Sequence, residues 1–312
     1  MQFPFQILPD ADFDVIGFGT NAVDYLIRVP EYPLFDTKVE LTEYAKQAGG
    51  EVATTLVGLQ RLGLATAYAG RFGADGEGVF GLQTMVNEGV DTAYAEIMDG
   101  ASTQIAFIVI DARSGERTVI WHRDKKLAYS SSDAPIGLAA RGKVLHITPH
   151  DAEAAIEMAK AARKGGTIVS MDIDNVFGGI DRLLPLVDIL TASASFPAKL
   201  TGLTDAKTAI RQIADTFGCG VVGVTLGSEG SLFLCEDESI EAPAFEVPNG
   251  CKDTTGAGDA FRAGLLYGLL SSESIENSAR YANAVAALSC RKTGARDGLP
   301  TLPELTMLLK NS

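Results

Sequence analysis

Apolar residues fall in two rhythms along this chain. From Lys143 onward, short apolar runs alternate with helical patterns. Val144-Leu145-His146-Ile147, Ile168 to Ile173, Val187-Asp188-Ile189-Leu190 and Val221 to Leu226 read as strands. Ala152 to Lys164, Thr204 to Phe217, Asp259 to Leu270 and Ile275 to Cys290 read as helices. Strands that alternate with helices predict a parallel α/β sheet covered on both faces. The first half begins the same way, with a buried strand at Asp14-Val15-Ile16-Gly17-Phe18-Gly19, a helix over Val52 to Leu62, a strand over Ala65 to Gly70, a loop over Arg71 to Gly76 and a helix to Glu88. Two stretches break the rhythm. Val23 to Val29 is extended and stopped by Pro30 and Pro33, and Lys38 to Tyr44 alternates polar with apolar. Thr103 to Asp111 and Arg117 to Trp121 flank a turn at Ser114-Gly115, a hairpin pattern. These insertions, at about 23–45 and 102–124, are expected to form a small separate β-sheet, suited to a lid over a cleft.

The chain has 312 residues, enough for one large domain with an appendage or two modest domains. Apolar residues make up 46% and charged residues 21%, so a sizeable core needs no disulfide or metal. The net charge of −14 argues against nucleic acid and anionic membranes, and the one basic cluster, Arg123, Lys125 and Lys126, is too small to reverse that. Cys219, Cys235, Cys251 and Cys290 form no C-x-x-C pair, and the three histidines are too scattered for a zinc site. No run reaches the roughly 18 apolar residues of a membrane span, and Met1 to Asp14 lacks a basic start, so a cytoplasmic protein is expected.

The chemistry concentrates in Asp253-Thr254-Thr255-Gly256-Ala257-Gly258-Asp259. Glycines just before a helix let backbone N–H groups converge, and the helix start adds partial positive charge, which makes a cradle for anionic oxygens. Asp259, at the helix start, is placed to take a proton from an attacking hydroxyl. Taken alone, a G-x-G-D stretch is more often a turn and an acidic first helical turn. The longer run, continued by Ala260, Phe261, Ala263 and Gly264, resembles the C-terminal signature of the ribokinase-like sugar kinases, the phosphofructokinase B family. Val224-Thr225-Leu226-Gly227-Ser228-Glu229-Gly230 resembles its nucleotide loop, and Asn283 to Ala287 with Lys292-Thr293-Gly294-Ala295 resembles its adenine-side helix and loop. Gly49-Gly50 matches its first Gly-rich signature.

The resemblance covers nearly the whole chain. It implies a single domain over 1–312, a three-layer sandwich with a mainly parallel central sheet and a β lid. It further implies phosphoryl transfer from ATP with Mg²⁺ to a hydroxymethyl group of a sugar, ketohexose-like first, or of a nucleoside. Asp259 matches the base, and Gly256, Ala257 and Gly258 match the anion hole. Asp24, Gly49, Gly50 and Thr54 match acceptor contacts. Thr225, Gly227, Gly230 and Asn283 match the nucleotide side, and Asp253 with Thr255 matches a site for a monovalent cation such as K⁺. Pairing of lids into a homodimer is expected by the same resemblance. Arg123, at the end of a lid strand, is expected either to reach the acceptor or the transferring phosphate, or to be a solvated edge charge.

The sequence departs from the family in two places. Thr54 stands where an Asn is usual, and Ser193-Ala194-Ser195-Phe196 replaces an N-x-x-E motif tied to magnesium and phosphate. These departures support one rival, a catalytically inactive sugar-binding protein of the same fold; the intact Asp259 cradle opposes it. Two other patterns mislead. His122-Arg123-Asp124 spells a protein-kinase triplet without its partners. Gly17-Phe18-Gly19-Thr20-Asn21-Ala22 fits a dinucleotide fingerprint but runs into an extended segment instead of a helix.

Overall fold

The structure is a computed structural model that describes residues 1–114 and 117–311; the turn residue Gly115 lies outside the described residues. The chain enters through β1 (Phe13–Phe18), leaves the body in β2 (Ala22–Val29) and β3 (Glu43–Gly49), and returns in α1 (Glu51–Arg61). Next come β4 (Thr66–Ala69), β5 (Arg71–Gly73), α2 (Gly76–Asn87) and β6 (Glu96–Met98). A second excursion contains β7 (Ile105–Asp111) and β8 (Arg117–His122). The regular alternation then runs β9 (Gly142–Ile147), α3 (Ala152–Gly165), β10 (Ile168–Ile173), β11 (Ile189–Ser193), α4 (Ala206–Phe217) and β12 (Val221–Thr225). It ends with β13 (Ser231–Cys235), β14 (Glu238–Ala242), α5 (Ala257–Leu270), α6 (Ile275–Ser289) and α7 (Leu302–Lys310).

The central sheet has the order β14-β13-β12-β11-β10-β9-β1-β4. It is parallel from β12 to β4, with β13 and β14 added antiparallel. All six residues of β10 are buried, as a strand covered on both faces requires. One face packs on α1, α5 and α6 through Val52, Leu56, Phe261, Leu265 and Val285. The other packs on α3 and α4 through Ala155, Ala159, Ile210 and Ile213. This is the expected three-layer sandwich. The excursions form the expected separate sheet, of order β3-β2-β7-β8, with β2 and β7 paired in parallel across the two insertions.

Several elements differ from the sequence reading. The alternating stretch Lys38 to Tyr44 is mostly irregular; the strand lies at Glu43–Gly49, where its register against β2 carries it to the paired glycines. The alternation at 38–44 belongs to an exposed excursion with no partner strand for most of its length, so pattern without pairing did not make a strand. Arg71 to Gly76 is not all loop, because Arg71–Gly73 pairs with Glu96–Met98. β13, β14 and α7 were not foreseen. β13 and β14 meet at Glu236, which adopts a left-handed conformation (φ 51°), a turn without the usual Gly or Asn. α7 opens on a capping box between Thr301 and Glu304 that its sequence does carry.

Candidate active site

The C-terminal ends of β1, β9, β10, β11 and β12 open onto one cleft, the position where open α/β sheets bind ligands. The Asp253–Asp259 segment crosses that cleft. Gly256 sits at φ 73° as the residue before α5, and a side chain there would press on Ala295 at 2.8 Å. Thr255 donates from its N–H (2.9 Å) and hydroxyl (2.8 Å) to Asp253 Oδ1, and the Gly294 N–H donates to Asp253 Oδ2 at 2.8 Å. The buried Asp253 thus ties the cradle to the loop after α6. Each carboxylate oxygen can accept further, and the Asp253 carboxylate with the Thr255 hydroxyl offers oxygen ligands of the kind a hard cation takes.

Asp259, in the first turn of α5, has its carboxyl pushed well above the ordinary range, first by burial and then by Asp172 and Glu51. Arg262, one turn on, lies beneath the cradle. Its guanidinium is so close that a Cβ on Gly258 would stand 2.3 Å from Nη1. Arg262 forms a buried ion pair with Asp172 and donates to the Thr191 carbonyl at 3.4 Å. The sequence reading gave Arg262 no role, although an arginine inside the buried run Ala260 to Leu266 is a signal in itself.

The acceptor side is built from the lid root. Asp24 on β2 is buried, and burial lifts its carboxyl to about 6 against the pull of Arg296. Gly49 ends β3 beside it; a Cβ there would meet Asp24 Oδ2 at 2.0 Å. Gly50 (φ 89°) caps α1 with no room for a side chain against Asn21. Glu51, the first residue of α1, is raised to about 7 by burial and then by Asp174. It accepts from Thr20 Oγ1 at 3.2 Å and lies 3.4 Å from His150 Nδ1.

Thr54 is fully buried and takes a 3.4 Å hydrogen bond from Arg296 Nε. Arg296 is the second residue that the sequence reading missed. It is 6% exposed, donates to the Gly49 carbonyl at 2.5 Å and to Thr84 Oγ1 at 3.2 Å, and faces Asp24 electrostatically. Arg61 holds the Arg296 segment in turn, donating to the carbonyls of Arg296 (2.9 Å) and Leu299 (2.8 Å). Arg123 is engaged by a carboxylate. It makes a two-pronged ion pair with Asp151 at 2.7 and 2.8 Å, which pins the end of β8 to the start of α3. That pair corrects the expectation of a solvated edge charge, since the Arg123 side chain is largely covered and engaged by Asp151.

The nucleotide-side residues do come together. Thr225, Gly227, Gly230 and Asn283 line a cavity of about 520 Å³ with Thr254, Ala257 and Gly258. Its far end is apolar, walled by Phe245, Val247, Ala286 and Ala287. Asn283 turns its amide into the wall, donating to Ser231 Oγ at 3.0 Å and the Ala242 carbonyl at 3.2 Å. A slot with an apolar end and an amide cradle at the other fits a planar base carrying phosphates. The acids Glu51, Asp172 and Asp174 do not converge as a dedicated metal cage; among the described residues no group of three His, Cys, Asp or Glu is so arranged. No described helix is long and apolar enough to cross a membrane.

The sequence profile described as pfkB family carbohydrate kinase matches residues 15–302. Among curated relatives, a nucleoside kinase of Methanothermobacter thermautotrophicus is 25% identical over 306 residues, covering 94% of each chain. A ribokinase of Haemophilus influenzae is 28% identical over 305 residues, covering 94% of this chain and 97% of that protein. Among solved structures, the Arabidopsis thaliana ribokinase complexed with ribose and ATP superposes with a TM-score of 0.84 at 24% identity, covering 96% of this chain and 99% of that one.

Proposed function

The chain belongs to the pfkB family of carbohydrate kinases, and from that premise we propose that it moves the γ-phosphoryl group of ATP onto a hydroxymethyl oxygen of a neutral sugar or nucleoside. The observation that carries the reading is the position of Asp259, half-buried in the first turn of α5 directly after the amide cradle, with its proton affinity raised. A carboxylate with raised proton affinity is better matched to taking a proton from an alcohol than an ordinary one. In this reading Asp259 accepts the hydroxyl proton. The N–H groups of Gly256, Ala257 and Gly258, with Arg262 beneath them, stabilise the charge that develops. Asp24 holds acceptor hydroxyls, with Gly49 and Gly50 leaving it space. Arg296, held in part by Thr54, supplies the positive charge that Asp24 faces.

Thr225, Gly227, Gly230 and Asn283 shape the slot for ATP. Mg²⁺ would come in with the phosphates and neutralise their charge, with Glu51 and Asp174 as carboxylates that could help to hold it. Asp253 and Thr255, with neighbouring carbonyls, would hold a monovalent cation of the K⁺ type.

The charge balance supports a neutral acceptor. Arg262 pairs with Asp172 and Arg296 faces Asp24, so the buried guanidiniums are already matched by acids, and none is left over for a phosphorylated sugar. A ketohexose-type sugar is the first acceptor proposed. The nucleoside alternative is favoured by Trp121, which pairs with Ala106 in the row that contains Asp24, so it shares the cleft-facing side of the lid, and is 61% exposed. We also propose that the outer lid face, where Tyr25 stacks with Tyr44 and Phe107, pairs with a second copy.

The test is ADP release across a panel of sugars and nucleosides, with Asp259→Asn alongside. Turnover that is lost in the variant supports the reading. Acceptor binding without turnover in either protein refutes it in favour of a binding protein of the same fold.

A further inference from the structure

Arg117 opens β8 and points to the body of the molecule. It pairs with Ile110, and Ile110 with Arg28, so by the pleat it shares its side of the lid with Val119 and Trp121. From there its guanidinium crosses the cleft and donates to Thr254 Oγ1. Thr254 stands in the cradle segment and lines the nucleotide-side cavity together with Gly227, Ala257 and Gly258.

That cavity has a charge problem. No Lys or Arg is among its lining residues, and the one charged side chain there is Glu246. A triphosphate brings several negative charges, whereas a helix start contributes about half a positive charge. The other arginines at the cleft are committed, Arg123 to Asp151, Arg262 to Asp172, and Arg296 to Gly49 and Asp24. Arg117 differs, because its hydrogen bond among the described residues goes to a neutral hydroxyl. Its guanidinium can exchange that hydroxyl for a phosphate oxygen without breaking an ion pair, and its fork of N–H groups suits two oxygens at once.

We propose that Arg117 is a catalytic residue carried by the lid, which contacts the terminal phosphate of the bound nucleotide and stabilises the charge of the transferring group. The assignment rests on the phosphoryl-transfer reading above. It gives the lid a chemical part in the reaction besides excluding water.

The experiment compares the unaltered chain with Arg117→Ala and Arg117→Lys by calorimetric titration with ATP and with adenosine, and by steady-state kinetics on whichever acceptor is turned over. Thermal melting confirms that each variant is folded. Arg117→Ala is expected to bind ATP about 10-fold more weakly while adenosine binding is unchanged, and to lose about 100-fold in kcat with the acceptor KM within about twofold. Arg117→Lys should recover part of both losses. An alanine variant with unchanged ATP affinity and kcat overturns the proposal. So does an equal loss for ATP and adenosine, which marks a packing role. If no acceptor is turned over by the unaltered chain, the kinase reading fails, and the ATP-against-adenosine comparison still decides the part of Arg117.

Discussion

The two sides of the cleft that flank Asp259, proposed above for the nucleotide and for the acceptor, are made of different material. The nucleotide side is a slot between β12, α5 and α6, apolar at one end, and its polar wall residue Asn283 is fixed by two neutral hydrogen bonds. The acceptor side is a floor of carboxylates, Asp24, Glu51, Asp172 and Asp259, each with its proton affinity raised, set against the buried guanidiniums of Arg262 and Arg296. One side is shaped by packing and the other by charge compensation. Damage on the first should therefore stay local. On the second it should spread to stability and to pH dependence, because an unpaired buried charge is costly.

The sharpest probe stands where the two sides join. Asp259→Asn should lower kcat by about 10³-fold, within the range for loss of a general base, while ATP and acceptor still bind; isothermal titration and initial rates check both halves of that statement. Equal loss of binding for both ligands would mean that the carboxyl holds the site together and is no base.

Next in size is Arg296→Met. The change strips the buried Gly49 carbonyl and the Thr84 hydroxyl of their donor and Asp24 of its counter-charge, at a cost on the order of 3 kcal/mol, so urea midpoints should fall. In protein that remains folded, acceptor KM should rise while ATP affinity holds. A rise in ATP Kd of the same size would erase the proposed division between the two sides.

The third test uses pH. The carboxyl of Asp24 titrates at about 6 in the folded chain against an ordinary 3.8. Between those values the folded state binds more protons than the unfolded state, so the contribution of this group to stability falls as pH rises through that window. The full effect is roughly 3 kcal/mol. Denaturant titrations from pH 4 to 7 should show that decline in the unaltered protein and a flatter curve in Asp24→Asn. A decline of the same depth in both proteins would assign the pH dependence to other groups.

The smallest effect is expected on the nucleotide side. Asn283→Ala leaves Ser231 Oγ and the Ala242 carbonyl without their donor, at about 1–2 kcal/mol of stability. ATP KM should rise several-fold, with acceptor KM and the pH profile unmoved. A shift in acceptor KM would show that the wall is not independent of the floor.

What was legible in the sequence follows the same division. The cradle and the nucleotide loop are contiguous runs, and the glycines that need positive φ or close approach, Gly50, Gly227, Gly230 and Gly256, announce themselves locally. The alternation of strands and helices gave away the central sheet, because strands buried on both faces are plainly apolar. The residues that complete the acceptor floor are of another kind. Arg262 was in view, but its meaning depends on Asp172, which no spacing rule connects to it. Arg296 meets Gly49 across 247 positions of sequence. The pairing of Arg123 was not visible because its partner Asp151 lies in the body of the molecule, 28 positions further on. Thr54 stood out only as a departure from the family's Asn; its hydrogen bond from Arg296 could not be read from its position.

The placement of Arg296 has a consequence for how the protein is made. Synthesis delivers Asp24, Glu51 and Asp172 to the growing chain long before the counter-charge that one of them requires, and domains begin to organise as they emerge. A nascent chain that has already built its sheet holds the acid of the acceptor pocket without Arg296, and the lid root without the bond to the Gly49 carbonyl. The pocket is thus a late event in biogenesis. Ribosome-bound chains stalled before and after residue 296 should differ in protease sensitivity at the lid, and a partly made kinase would have no competent site with which to spend ATP.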